Sequence, residues 1–260
     1  AALAYPENGK LLDYLVGQIK QSSIAVQLST EADAALVARL KPDTIVVATG
    51  ARRAAPAIAG AEQKHVWSGD ELRRLMTSDR ADEIAKAKLS LTERAMFKAG
   101  GMLRVTDSTQ ALQSLSKLWM PLGKQVVIVG GGLVGLELAE FLLARGRQVT
   151  VLEPGTHPGP ELPIVRRWRV VEAVTAHGAL KLKAQVREIT RDAVLWQDAK
   201  GVEQSTPADS VVLAIGAEAD DRVATALAAC GVPVHRIGDC AGVNYIEGAM
   251  HDGNRVGRSV

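Results

Sequence analysis

The run Gln125-Val126-Val127-Ile128-Val129, followed directly by Gly130-Gly131-Gly132-Leu133-Val134-Gly135, limits what this chain can fold into more than any other stretch. Four β-branched residues in succession read as a buried strand, and the apolar run from Leu133 to Ala144 is long enough for a helix. The spacing Gly130-x-Gly132-x-x-Gly135 predicts a glycine turn into a helix N-terminus. Gly130 permits the tight turn, Gly132 lets the backbone come against a pyrophosphate, and Gly135 lets helix and strand pack closely. The unpaired N–H groups and the positive end of the helix then face the phosphates. In a chain with 24 glycines this spacing is weak by itself. Its surroundings strengthen it. Gly146 suits a helix stop, Val149-Thr150-Val151-Leu152 reads as the next strand, and Glu153 closes that strand 23 positions after Gly130. A carboxylate there can accept hydrogen bonds from both adenosine ribose hydroxyls. The bland alternative, an ordinary βαβ crossover with a glycine-rich turn, does not require the acid.

The 260 residues suffice for one large or two smaller domains. A 47% hydrophobic content beside 23% charged residues suits a soluble globular protein, and aromatics at 3% leave an aliphatic core. The formal charge of +2 comes from well-mixed signs, whereas a nucleic-acid surface needs clustered Lys and Arg, so no nucleic-acid partner is expected. The two cysteines, Cys230 and Cys240, match neither a zinc site nor a Cys-x-x-Cys redox pair, and a reducing, cytoplasmic setting is expected from them. No apolar run approaches the roughly 18 residues of a membrane helix, and Ala1 to Gly9 lacks the charged-then-apolar pattern of a signal peptide. No membrane partner is therefore expected.

From the start, Leu11, Leu12, Leu15, Val16 and Ile19 recur at helical spacing and predict an amphipathic helix. Ile24 to Leu28 reads as a short strand, and Thr30 with Asp33 as a capping pair for a helix through Leu40. Asp43 to Ala51 is a second buried strand, too apolar for anything but a sheet covered on both faces. Ala51 to Gly69 is loop-like, and Asp70 to Leu118 helical, with interruptions near Thr77 to Asp79 and at Gly100-Gly101. Trp119-Met120-Pro121 reads as packing at a domain junction. Beyond Glu153, a loop with four prolines leads to a helix from Val165 to His177, stopped by Gly178. Leu180–Ala184, Val186–Thr190, Ala193–Gln197 and Val202–Ser205 then suggest a small antiparallel meander with a turn at Asp198 to Gly201.

Next comes Asp209 to Ala217, which is the earlier apolar strand over again. Asp43, Ala48, Gly50 and Ala51 correspond to Asp209, Ala214, Gly216 and Ala217 at a constant offset of 166. Two copies of one strand predict an α/β protein with two Rossmann-like three-layer nucleotide-binding halves, the first incomplete and the second carrying the meander. The fingerprint at Gly130 precedes Gly216 by 86 residues, and the same distance back from Gly50 falls before residue 1. The expected divisions are 1–69 for a partial first half, 70–121 for a helical linker, 122–220 for the second half and 221–260 for a segment returning to the first. In that last segment a short strand feeds Gly238-Asp239 and a glycine-rich turn, placing a carboxylate at a strand end where open α/β sheets bind ligands. A plain Asp-containing turn is the equal alternative. Ala249, Gly253 and Gly257 give the final helix a small face.

With the fingerprint, both Ala-x-Gly strands and Ile237-Gly238-Asp239 in place, nearly the whole chain resembles the C-terminal FAD/NAD(P)-binding region of flavin oxidoreductases. The old-yellow-enzyme-like group, of the 2,4-dienoyl-CoA reductase and trimethylamine dehydrogenase type, is the nearest resemblance, through Gly132-Leu133-Val134-Gly135-Leu136-Glu137 and Tyr245-Ile246-Glu247-Gly248-Ala249. The resemblance implies that Gly130, Gly131, Gly132, Leu133, Val134, Gly135 and Glu153, with Gly216 closing the same half, hold a nicotinamide dinucleotide. It implies that Thr49 and Gly50 border an FAD site, that Gly238 and Asp239 meet the FAD ribityl-pyrophosphate region, and that an FMN-type barrel domain is a partner. The group's FAD glycine loop has no counterpart before Gly50, and its barrel and iron–sulfur cysteines have none either, so an N-terminally truncated module is expected.

Two functions follow. One is hydride transfer from NAD(P)H to FAD and onward to a partner domain, in which the flavin does the chemistry and no acid–base triad is needed. The other is a non-catalytic domain holding ADP or NAD as a structural or regulatory ligand. An acid at position 153 should repel a 2′-phosphate and favour NADH, with Arg166 and Arg167 the nearby cations that could reverse it. No catalytic residue and no metal site is assigned: the five histidines lack metal spacing, Gly-x-Ser-x-Gly is absent, and Lys124 lacks the glycines of a Walker loop.

Overall fold

The strand read from Gln125 forms in the computed structural model, which describes residues 6–53, 57–77, 81–102, 116 and 119–260. It belongs to the larger of two units, residues 1–22 with 56–215; residues 23–55 with 216–260 make the other. The larger unit contains α1 (Pro6–Gln21), β3 (Val66–Ser68), α3 (Gly69–Thr77), α4 (Ala81–Lys88), α5 (Leu91–Met102), β4 (Gln125–Val129), α6 (Leu133–Leu143) and β5 (Gln148–Glu153). It continues with α7 (Ile164–His177), β6 (Ala179–Leu182), β7 (Gln185–Ile189), β8 (Ala193–Gln197), β9 (Glu203–Pro207) and β10 (Ser210–Leu213). The smaller unit holds α2 (Ala34–Leu40), β1 (Ile45–Val47), β2 (Ala51–Arg53), β11 (Ala217–Ala219), α8 (Arg222–Ala228), β12 (Val234–Arg236) and α9 (Tyr245–Gly257).

In the larger unit β3, β10, β4, β5 and β6 lie side by side in that order, each parallel to its neighbours. Alternate residues of a strand point to opposite faces. Val126 and Ile128 join a cluster with Leu136, Leu142, Val170 and Val174 from α6 and α7, and with Leu75 and Ala85 from α3 and α4. Val127 and Val129 join Ile189, Val194 and Trp196 on the other face. All four are buried, so the continuous apolar run follows from a central strand covered by helices on one side and by β7, β8 and β9 on the other. The result is a Rossmann-like three-layer arrangement.

Of the helices between β3 and β4, α3 and α4 pack on that sheet. Two reciprocal caps start α3 and α5: Ser68 and Glu71 exchange backbone and side-chain hydrogen bonds at 2.7 and 3.1 Å, and Ser90 and Glu93 at 2.8 and 3.3 Å. Lys88 ties the helices to the edge strand, since its ammonium donates to the Val66 carbonyl, pairs with Glu71 at 2.9 Å and lies 5.3 Å from the Trp67 ring centroid. Burial pushes the Glu71 carboxyl up, but the Lys88 ammonium and the Ser68 N–H outweigh it and hold the group below its ordinary value. Of the interruptions expected here, residues 78–80 lie outside the described residues, and α5 runs straight through Gly100-Gly101. The break falls instead at Leu89-Ser90, where the second cap forms.

Several strands differ from expectation. Residues 180–184 do not open the meander: β6 pairs with β5 as the fifth parallel strand, because α7 is a crossover that returns the chain to that edge. The meander has three strands, β7, β8 and β9, and Asp198 holds its turn by accepting from the N–H groups of Lys200 at 2.8 Å and Val202 at 3.0 Å. In the smaller unit Ile24 to Leu28 forms no strand, and Asp33 caps α2, accepting from the Leu36 N–H at 2.8 Å. Thr30 Oγ1 turns back to the Leu28 carbonyl. The run from Asp43 divides into β1 and β2 across Gly50. β1 pairs only with β12 among the described residues, and Val46 is 43% exposed, so this strand is not covered on both faces.

The repeat does appear. At the offset of 166, β1 corresponds to β10 and β2 to β11, and β2 and β11 pair antiparallel with Arg52 opposite Glu218. These two residues are themselves repeat equivalents, and their side chains meet at 2.8 Å.

Replacing Lys88 with Met leaves the Glu71 carboxylate without its cation and the Val66 carbonyl without a donor. Thermal unfolding should show a loss of about 2 kcal/mol. Because the Glu71 pKa is depressed in the folded state, its stabilisation is present above the ordinary glutamate range and lost as pH falls through the lowered value. The gap between wild type and K88M should therefore narrow at acid pH.

Candidate nucleotide site

The glycine turn is built by contacts that leave no room for side chains. Gly130 has φ +107, and a Cβ there would lie 2.5 Å from the Ala214 carbonyl oxygen. A Cβ on Gly135 would lie 1.9 Å from the Gly130 carbonyl oxygen, so the first turn of α6 rests directly on the end of β4. Gly132 is the N-cap of α6 and contributes no side chain, while its carbonyl accepts from the Leu136 N–H at 3.0 Å. The N–H groups of Leu133, Val134 and Gly135 precede that first intrahelical bond and point out of the helix end.

Glu153, the last residue of β5, stands beside this turn. Its Oε2 accepts from the Gly131 N–H and its Oε1 from the Gly155 N–H, each at 2.6 Å. The acid and the fingerprint, 22 residues apart from Gly131 to Glu153, are thus adjacent. The proline-containing loop after β5 folds over the turn: the Gly159 N–H donates to the Gly131 carbonyl at 2.8 Å, and Glu161 Oε2 accepts from the Leu133 N–H at 3.1 Å. Glu161 is a residue that pattern reading missed. Its only signal was an acid within that loop, just ahead of α7.

Arg166, one of the two cations near Glu153 in sequence, makes a bidentate pair with Glu140 of α6. Arg167, half-buried on α7, forms no ion pair with Glu153 or Glu161 among the described residues.

The other candidate residues belong to the smaller unit. Gly50 and Gly216, the equivalent turn glycines, both have positive φ, and Thr49 is exposed. Asp239 Oδ1 accepts from the N–H groups of Asn244 at 3.0 Å and Tyr245 at 2.8 Å, which caps the start of α9. Asp239 thus caps the turn into α9. Gly238 donates to Asp252 Oδ2 at 3.0 Å and packs against Ala249, so the small face of α9 is used at that one position, while Gly253 and Gly257 face open space. Both cysteines are free thiols, and buried Cys240 donates to the carbonyls of Val47 and Ile237. Among the described residues no group of three His, Cys, Asp or Glu side chains could hold a metal ion, and no helix is long and apolar enough to cross a membrane.

A parallel sheet, a glycine turn on a helix N-terminus and an acid closing the next strand define a nucleotide-binding protein of the Rossmann-like class. The family model described as pyridine nucleotide-disulphide oxidoreductase matches residues 18–244, and the chain belongs to that family. Bilirubin reductase of Mediterraneibacter gnavus is 29% identical over 235 residues, covering 90% of this chain and 30% of the relative. NADH oxidase of Thermoanaerobacter brockii is 26% identical over 246 residues, covering 94% of this chain and 32% of the relative. Among solved structures, a 2-naphthoyl-CoA reductase in complex with 2-naphthoyl-CoA superposes with a TM-score of 0.70 at 27% identity, over 97% of this chain and 32% of that one. Histamine dehydrogenase from Rhizobium sp. 4-9 shares the fold at a TM-score of 0.66 and 17% identity, over 97% of this chain and 36% of that one. The chain spans about a third of the length of each.

The fit at Gly135 is testable without a ligand. Gly135→Ala sets a methyl group against backbone that cannot swing aside, and should cost about 3 kcal/mol in urea unfolding. Gly253→Ala, a helical position with nothing within 4 Å, should instead gain up to about 1 kcal/mol.

Proposed function

We propose that this chain is the pyridine-nucleotide-binding module of an NAD(P)H:flavin oxidoreductase of the old-yellow-enzyme-like group, with NADH as its preferred nucleotide. The observation that carries the reading is the pairing of Glu153 with the Gly131 N–H at the mouth of the glycine turn. The donors at the start of α6 suit a pyrophosphate, and a carboxylate beside them suits ribose hydroxyls. Gly130, Gly131, Gly132, Leu133, Val134, Gly135 and Glu153 would hold the dinucleotide, which when bound supplies the hydride. The chain's part is to bind and orient it. Glu153 would exchange its hydrogen bonds to Gly131 and Gly155 for bonds from the ribose.

The flavin half fits less well. Thr49, Gly50, Gly238 and Asp239 could border an FAD, yet no second glycine fingerprint accompanies them. The repeat indicates what would complete this half. Val212 is 1% exposed between two strands, whereas its equivalent Val46 is 43% exposed. Asp209 accepts from the N–H groups of Lys124 and Gln125 at the entry of β4, whereas among the described residues no such pair of N–H groups meets its equivalent Asp43. A strand and glycine loop from outside these residues would occupy that edge, and an FMN-type barrel domain would be the electron-accepting partner. The greater length of the relatives supports this reading.

A visible absorption spectrum of the purified chain separates the two functions. Nucleotide binding with a yellow flavin spectrum supports the redox module. Nucleotide binding without flavin supports a domain that holds ADP or NAD as a structural or regulatory ligand.

Calorimetric titration should give NADH a dissociation constant at least tenfold below that of NADPH, because Glu153 repels a 2′-phosphate and Arg166 is held by Glu140. Tighter NADPH binding would refute the preference. Glu153→Ala should weaken NADH by about tenfold or more, the value of a hydrogen bond to a charged group.

A further inference from the structure

We infer that Glu161 is an internal competitor for the phosphate position of the nucleotide site and weakens the binding of any anionic ligand there. The inference rests on the nucleotide reading above. The Glu161 carboxylate lies at the N-terminus of α6: the Leu133 N–H donates to its Oε2 at 3.1 Å, and a Cβ on Gly132 would come within 3.3 Å of its Oε1. These are the helix donor and the close-approach glycine that a pyrophosphate needs.

The loop carrying Glu161 is fastened on both sides of it. Gly159 donates to the Gly131 carbonyl and packs against Leu136 and Leu162, and Leu162 is 6% exposed within the helix-side core. Between these anchors Glu161 is exposed, so its side chain can leave the helix end without disturbing the loop.

The two acids of the site therefore act in opposite senses. Glu153 occupies the Gly131 side, where ribose hydroxyls can replace its backbone partners. Glu161 occupies the helix end, where an arriving phosphate carries the same sign of charge and requires the same donor. Nucleotide binding must displace Glu161, and the interaction surrendered is that of a carboxylate with a helix N-terminus, equivalent to about a two- to fivefold factor in affinity.

The test is calorimetric titration of the full chain with NADH, using wild type, Glu161→Gln and Glu161→Ala. Both variants should bind about two- to fivefold more tightly than wild type, and the difference should shrink at 1 M salt as the charge is screened. If wild type binds NADH and the variants bind equally or more weakly, the role assigned to Glu161 is overturned while the nucleotide site stands. If none of the three binds NADH, the nucleotide reading itself fails and takes this inference with it. Matching unfolding temperatures, within a few degrees, establish that the three proteins are compared in the same fold.

Discussion

The contact on which the larger unit depends is the approach of Gly135 to the carbonyl of Gly130, so close that not even a methyl group fits between them. It brings the N-terminus of α6 onto the end of β4 and forces the intervening residues into a tight turn. Everything proposed for the site depends on that geometry: donors that point out of the helix end, a backbone bare of side chains, and an acid that can reach the turn from the adjacent strand. A protein that gains so close a contact has little freedom to vary the turn. The chemistry available at this end of the sheet is therefore recognition of a ligand by backbone groups.

Much of this was legible in the residues because the causes were local or periodic. The run from Val126 to Val129 is apolar without alternation because both faces are covered, and its continuation into three glycines admits few other conformations. Glu153 could be located by spacing alone. Gly146 and Gly178 stand where α6 and α7 end, as expected of glycine beyond a helix C-terminus. The two Ser-x-x-Glu caps were equally visible in principle at Ser68 and Ser90. The continuous helical pattern from Asp70 to Leu118 masks them.

What was not legible depended on partners remote in sequence. Residues 180–184 look like any short strand, and only the crossover through α7 decides that β6 joins β5 instead of β7. Asp43 to Ala51 has the composition of a buried strand, yet burial belongs to the surroundings, and in the smaller unit a single neighbour borders β1 among the described residues. Asp239 illustrates a third case. A carboxylate at a strand end has the same sequence signature whether it meets a ligand or the N-terminus of its own α9, and the contact with α9 is visible only in the fold.

The pairing of β2 with β11 has a topological consequence. Arg53 and Ala217 are opposite one another in an antiparallel ladder, as the two residues flanking a hairpin loop would be. All of residues 56–215, with the parallel sheet and the glycine turn, thus leave and re-enter the smaller unit at one pair of neighbouring strand ends. That stretch joins the chain in the manner of an insertion at a loop tip, a position at which proteins accept long additions at small entropic cost. The ion pair of Arg52 with Glu218 ties those two strands together at the point where the insertion begins and ends.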